Sequence, residues 1–148
     1  MPLETSLEEA RSEPDIAKII FRYVKTQRAA RAFIGWLHVK GGSCSRSELN
    51  RFSHMLNAGK QGVELSRTNF YKTVLHRLMD LGLIEIRARY DAELGRVIKV
   101  YGAVYQPIPK RRPPLGCWWR LAYLIALKWN REFQTSPGES DDTTQETR

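Results

Sequence analysis

The sequence predicts a mainly α-helical domain that carries a small antiparallel β-hairpin, with an added C-terminal helix. Three observations predict it. Apolar residues recur at three- and four-residue steps through three stretches ahead of Gly82. Each of these stretches opens or closes on residues that suit a helix end. Beyond Leu83 the period changes to two on either side of the turn "DAELG", the pattern of a half-buried hairpin.

The first helix is expected to start at Ser12, a capping hydroxyl followed by Glu13, Pro14 and Asp15. Ile16, Ile19, Ile20, Tyr23, Val24, Ala30, Phe33, Ile34 and Leu37 carry its apolar face, and the pattern stops at Gly41-Gly42. That is long for a globular helix. Either it breaks near Thr26, or its first half extends and buries its isoleucines against a partner. "SRSE" opens the second helix, with Ser45 and Glu48 spaced as a capping box and Leu49, Phe52 and Leu56 as one stripe ending near Asn57. "NAGKQG" is a loop.

The third helix starts near Ser66 and stops at Gly82, a residue suited to a left-handed cap. On a helical wheel Phe70, Val74, Leu78 and Leu81 fall on one side, flanked by Tyr71 and Leu75. Asn69, Lys72, Thr73, His76, Arg77 and Asp80 fall on the other. In the first strand Ile84, Ile86 and Ala88 alternate with Glu85, Arg87 and Arg89. In the second, Ile98, Val100 and Val104 alternate with Lys99, Tyr101 and Tyr105. Prolines stiffen the basic linker at 107–115. The helix expected over 116–133 is apolar nearly all round, so it must be covered nearly all round. One side suits the core. Trp118, Ala122, Ile125, Trp129 and Phe133 form that side, and Trp119, Tyr123, Leu124 and Leu127 occupy much of the rest. This favours a homodimer, with Trp118, Trp119, Tyr123, Leu124 and Leu127 at its interface, over a purely intramolecular element or a membrane-surface helix.

The 148-residue chain carries a net charge of +8, unevenly spread. Acidic tails at 1–13 and 134–148, expected to be disordered, flank a body with 22 basic and 8 acidic side chains, a net +14. A body this positive repels itself, and an anionic partner relieves that. No apolar stretch approaches the ~18 residues of a membrane span, and the N-terminus lacks the order of a secretory signal. Two cysteines, Cys44 and Cys117, point to a reduced, cytoplasmic setting and have no metal-binding spacing. Cys44 precedes a helix start, where a thiolate can be stabilised for redox sensing, but an inert surface or packed thiol is the plainer reading. His38, His54 and His76 suggest no catalytic arrangement, and "GKQG" is not a phosphate loop. No enzyme, cofactor or metal is expected.

The order helix, short helix, helix, strand, turn, strand, helix resembles the winged helix-turn-helix family in the broad sense that includes MarR-, PadR- and ArsR-like regulators. "SRSELNRFSHML", "SRTNFYKTVLHRLMDLGLIE" and the hairpin "IRARYDAELGRVIKVYG" carry the resemblance, within a domain at 14–106. The loop from Asn57 to Leu65 is longer than the turn of the tight motif. The resemblance implies a DNA-binding domain whose third helix enters the major groove.

Asn69, Lys72 and Thr73 are then the best base readers, because Asn pairs with adenine and Lys with guanine edges. Arg67, Thr68 and His76 stand close behind. Arg67 lies near the apolar side, however, and His76 is as readily an ordinary surface residue. The resemblance also implies that Arg87, Arg89 and Arg96 flank the duplex as a wing. Lys110, Arg111 and Arg112 suit a narrow minor groove, although a stiff spacer is the plainer reading. The expected function is a nucleoid-associated, homodimeric transcriptional regulator that binds specific double-stranded DNA. A protein–protein module, or a chromatin, replication or RNA-binding protein of weak sequence preference, is the alternative.

Overall fold

The computed structural model describes residues 7–104 and 117–134. In chain order they form α1 (Leu7–Ser12), α2 (Ile16–Ile20), α3 (Val24–Val39), β1 (Ser43–Ser45), α4 (Arg46–Asn57), α5 (Arg67–Asn69), a π-helical segment (Phe70–Leu75), α6 (His76–Asp80), β2 (Ile84–Asp91), β3 (Arg96–Ala103) and α7 (Cys117–Gln134). The chain is mainly helical with one small antiparallel sheet. Among the described residues no helix is long and apolar enough to cross a membrane.

The N-terminal helix expected from Ser12 is divided differently. Ser12 ends α1, so part of the expected acidic tail is helical and lies against α7. Asp15 caps α2 instead, its carboxylate accepting from the Ala17 N–H at 3.0 Å. The break falls at Phe21–Tyr23 rather than near Thr26. Phe21 is extended, and the Gln27 side-chain amide donates to the Phe21 carbonyl at 2.8 Å. This turn lets Ile16, Ile19, Ile20 and Phe21 bury themselves in their own chain, so the isoleucines need no partner subunit. A straight helix would have left that apolar face in water.

Helix α4 starts as expected. Ser45 Oγ accepts from the Glu48 N–H at 3.2 Å, and Glu48 Oε1 accepts from the Ser45 N–H at 2.9 Å. Glu48 also pairs with Lys40 at 3.0 Å. The Ser45 backbone bond, followed by Lys40, holds the Glu48 carboxyl below its usual range. The capping residue doubles as the end of β1, which the sequence reading did not anticipate. β1 pairs antiparallel with β3, with Ser43 opposite Gly102 and Ser45 opposite Val100, so the sheet is three-stranded in the order β1-β3-β2 and not a lone hairpin.

α5, the π segment and α6 run without a break as one helix over 67–80. Ser66 Oγ caps its start through the Asn69 N–H at 3.2 Å. Gly82, at φ 77°, closes its end, and the Leu83 N–H reaches back to the Leu78 carbonyl at 3.0 Å. Three helices meet in an aromatic cluster. Phe33 of α3, Phe52 of α4 and Phe70 of the 67–80 helix are fully buried, with centroids 5.2 to 5.6 Å apart. Trp36 stacks beside them, 4.9 Å from Phe52.

Helix α7 packs against α1 and α2 through Leu121, Ile125 and Trp129. Arg31 fastens it, binding Glu132 at 2.6 Å and Asp15 at 3.2 Å. Leu124, expected at a dimer interface, is half-buried against the chain's own core. Tyr123 and Leu127 of that expectation are exposed, at 66% and 40%. The side chains of Trp118 and Trp119 lie outside the described residues.

Truncating Phe70 removes one corner of the aromatic cluster. Phe70→Ala is expected to lower unfolding free energy by about 3–5 kcal/mol, read from the midpoint of urea denaturation. A loss below about 1 kcal/mol would show that the three helices do not depend on it. For Glu48 the sign follows from its lowered pKa. The ionised carboxylate contributes stability above the ordinary value of 4.5, and that contribution disappears as pH falls through the folded value. Urea titrations at pH 7 and below pH 4 are therefore expected to show a smaller acid loss for Glu48→Gln than for the wild type. Equal losses in the two proteins would contradict this.

Candidate nucleic-acid interface

The 67–80 helix is divided by burial into two flanks. Phe70, Val74 and Leu78 have no exposed surface, and Leu75 is nearly covered. Thr68, Asn69, Lys72, Thr73 and His76 are exposed. The π segment shapes this flank, because its N–H groups reach five residues back, as from His76 to Tyr71. An extra residue per turn rotates the later side chains back relative to an α-helix. At the start of this segment the Thr73 hydroxyl donates to the Asn69 carbonyl at 2.5 Å. Thr73 therefore braces the start of the π segment, directly behind Asn69.

Several cations expected to be free are committed to the fold. The Arg67 Nε donates to the buried Ser53 hydroxyl at 3.1 Å, which turns Arg67 back against α4 and away from the exposed flank. Arg77 was expected on that flank. It donates instead to the Ile20 carbonyl at 3.1 Å and lies over the Phe21 ring. The Tyr71 hydroxyl bonds Asn50 of α4. These contacts tie the helix to α2 and α4; spacing had placed Arg67 near the apolar side but gave no sign of the Arg77 and Tyr71 contacts. His76 faces Asp80 one turn on, with Nδ1 3.6 Å from the carboxylate.

The register of the hairpin sorts its side chains. Arg87 lies opposite Val100, Arg89 opposite Ile98 and Asp91 opposite Arg96, so the three arginines share one face. Ile98 and Val100 lie there too. The two strands' expected apolar sets thus fall on opposite faces, because the connection pairs Asp91 with Arg96 and that pairing fixes the alternation. Arg87 is not free for phosphate. Its Nε pairs with Glu85 at 2.8 Å and its Nη2 donates to the Ala103 carbonyl at 2.6 Å. Its guanidinium lies so close over Gly102 that a Cβ there would come within 2.7 Å. Arg89 and Arg96 are exposed. At the tip the Asp91 carboxylate accepts from the Glu93 and Leu94 N–H groups, so one of the two tip acids holds the turn.

The other face of the hairpin is buried only near its base. Ile84 and Tyr101 reach the core, and the Tyr101 hydroxyl accepts from Arg46 at 3.1 Å. Farther out, Ile86, Tyr90 at 64% and Val97 at 60% are exposed, as is Leu94 in the turn. Arg51 of α4, which the sequence reading passed over, is exposed and adjoins Asn50 in the chain. Lys110, Arg111 and Arg112 lie outside the described residues. Among the described residues no three His, Cys, Asp or Glu side chains gather as a metal site.

Cys44 is buried between β1 and the core, and its thiol is pushed up to about 12, chiefly by burial and then by Glu48. That overturns a stabilised thiolate and, with it, redox sensing through Cys44. In a Cys117→Ser background at pH 8, Ellman's reagent is expected to modify Cys44 only after denaturant unfolds the chain; rapid labelling of the native protein would contradict the burial. Comparison of the chain with protein-family models, with curated proteins and with solved structures finds no match.

Proposed function

We propose that this protein binds specific double-stranded DNA as a homodimeric transcriptional regulator, with a winged helix-turn-helix arrangement of α3, α4, the 67–80 helix and the sheet. One observation carries the reading. The 67–80 helix buries Phe70, Val74 and Leu78 completely while Asn69 and Lys72 stand exposed near its start, on a body of high positive charge. A helix read by the major groove needs that division. Asn69 and Lys72 are the base readers, Thr68 and His76 lie beside them, and Thr73 braces the backbone. Arg89 and Arg96 supply phosphate contacts, whose affinity falls with salt through counterion release. Among the described side chains of α7, the exposed Tyr123 and Leu127 are apolar groups a second subunit could cover.

A protein–protein module is the second reading, favoured by the exposed Ile86, Tyr90, Leu94 and Val97 on the hairpin. Selection from a random duplex pool, followed by titration on the selected and scrambled duplexes at two salt concentrations, separates the readings. Asn69→Ala is expected to cost about 1–3 kcal/mol on the selected duplex and little on the scrambled one. Arg89→Ala is expected to weaken both alike and reduce the salt slope by about 1. Equal losses on both duplexes for Asn69→Ala remove the base-reading role. Absence of duplex binding favours the module, and equal affinity for random DNA, single strands and RNA favours a weakly selective nucleic-acid protein.

A further inference from the structure

A cleft of about 500 Å³ opens between α2, the first turns of α3 and the loop that precedes the 67–80 helix. This volume is within the usual range for small-molecule sites. Its walls combine two chemistries. Val24, Ala32 and Val63 give an apolar surface, and Val24 is largely exposed without a functional explanation from the fold. Lys18, Arg28 and Arg31 line the same space. The one carboxylate there, Asp15, is already engaged by Arg31 and by the Ala17 N–H. Lys18 makes no ion pair among the described residues, and Arg28 makes only a long 3.4 Å bond to the Gly62 carbonyl across the cleft. Lys18 and Arg28 are thus uncompensated cations beside a solvent-exposed apolar wall.

We infer that this cleft binds a small organic anion: a flat or branched apolar body carrying one carboxylate, sulfonate or phosphate. The anionic group meets Lys18 and Arg28, and the apolar body lies on Val24, Ala32 and Val63. A neutral compound of the same shape leaves the cations unused, and an inorganic anion leaves the apolar wall wet, so both bind less well. The occupied cleft also gives the long loop from Ala58 to Leu65 a role, because Gly62 and Val63 form one wall. The inference does not depend on nucleic-acid binding.

The test uses the full chain with 8-anilinonaphthalene-1-sulfonate as the anionic probe and N-phenyl-1-naphthylamine as its neutral counterpart. Saturable fluorescence enhancement by the sulfonate is expected, with the neutral probe at least roughly tenfold weaker, about the value of one charged hydrogen bond. Lys18→Glu with Arg28→Glu is expected to weaken the sulfonate by a similar factor or more, while Tyr90→Ala on the hairpin leaves it unchanged. Amide chemical-shift changes in the wild type, which need no variant to fold, are expected within residues 15–18, 24–32 and 61–63. Equal binding of the two probes, insensitivity to the charge reversals, or shift changes confined to the hairpin or α7 would overturn the assignment. Duplex titrations of the same variants keep this result separate from the DNA-binding reading.

Discussion

The structure depends on three phenylalanines meeting in one cluster, Phe33 edge to face with Phe70 and the other two pairs tilted. Phe33, Phe52 and Phe70 come from three helices, each is fully buried, and each ring touches the other two. Burying such a side chain contributes about 1.5–3 kcal/mol, and a favourable ring pair adds roughly 0.5–1.5. Against a net stability of about 5–15 kcal/mol for a domain, the cluster is large enough to decide the helix arrangement. It also fixes a rotation. With Phe70 pointing inward, Asn69 and Lys72 must point outward, so the apolar contact determines which polar groups face solvent.

A packed ring sets the direction of a helix, but polar contacts set its position along its own axis. Arg67 to Ser53, Tyr71 to Asn50 and Arg77 to the Ile20 carbonyl brace successive turns against α4 and α2. Each is half-buried or better, where a directed bond to a charged group is stronger than at the surface. A recognition surface needs this rigidity, because side chains held loosely by their own element lose specificity. Arg67, which the helical wheel places near the apolar side, and Arg77, which it places on the polar side, are both used for it. The π segment also affects position: it winds the helix more loosely over Phe70–Leu75, and the Thr73 hydroxyl bonds the Asn69 carbonyl at its start.

What was legible in the sequence was local. The Ser45 capping box, the helix start near Ser66 and the Gly82 stop involve partners only a few residues apart, and all three stand as read. The inward set Phe70, Val74 and Leu78 was legible because helical periodicity needs no knowledge of the partner. β1 was not, since Ser43–Ser45 is a strand only because β3 comes beside it. The break at Phe21 was half legible: the apolar pattern was too long for one helix, but the stop comes from Gln27 and from burial, not from a proline or glycine. The fates of Arg67, Arg77 and Arg87 depended on partners many residues away, or on the bare backbone of Gly102.

The hairpin joins these two levels. Near its base Ile84, Tyr101 and Cys44 enter the core, so the sheet's placement is as firm as the helices'. Beyond Ile86 only the arginine face keeps cover, with Val100 buried and Ile98 half-buried, and the ribbon's shape rests on the β2–β3 ladder, the Asp91 turn and the clasp of Arg87 over Gly102. Such a ribbon is stiff across its width and free at its tip. It presents arginines on one face and Ile86, Tyr90 and Val97 on the other. Folding alone does not require that contrast, because exposed positions on a two-stranded ribbon tolerate polar residues on both sides. The exposed Arg89 and Arg96 give one face its positive charge, and Ile86, Tyr90 and Val97 leave apolar surface on the other, so the two faces of the outer ribbon differ in the chemistry they offer.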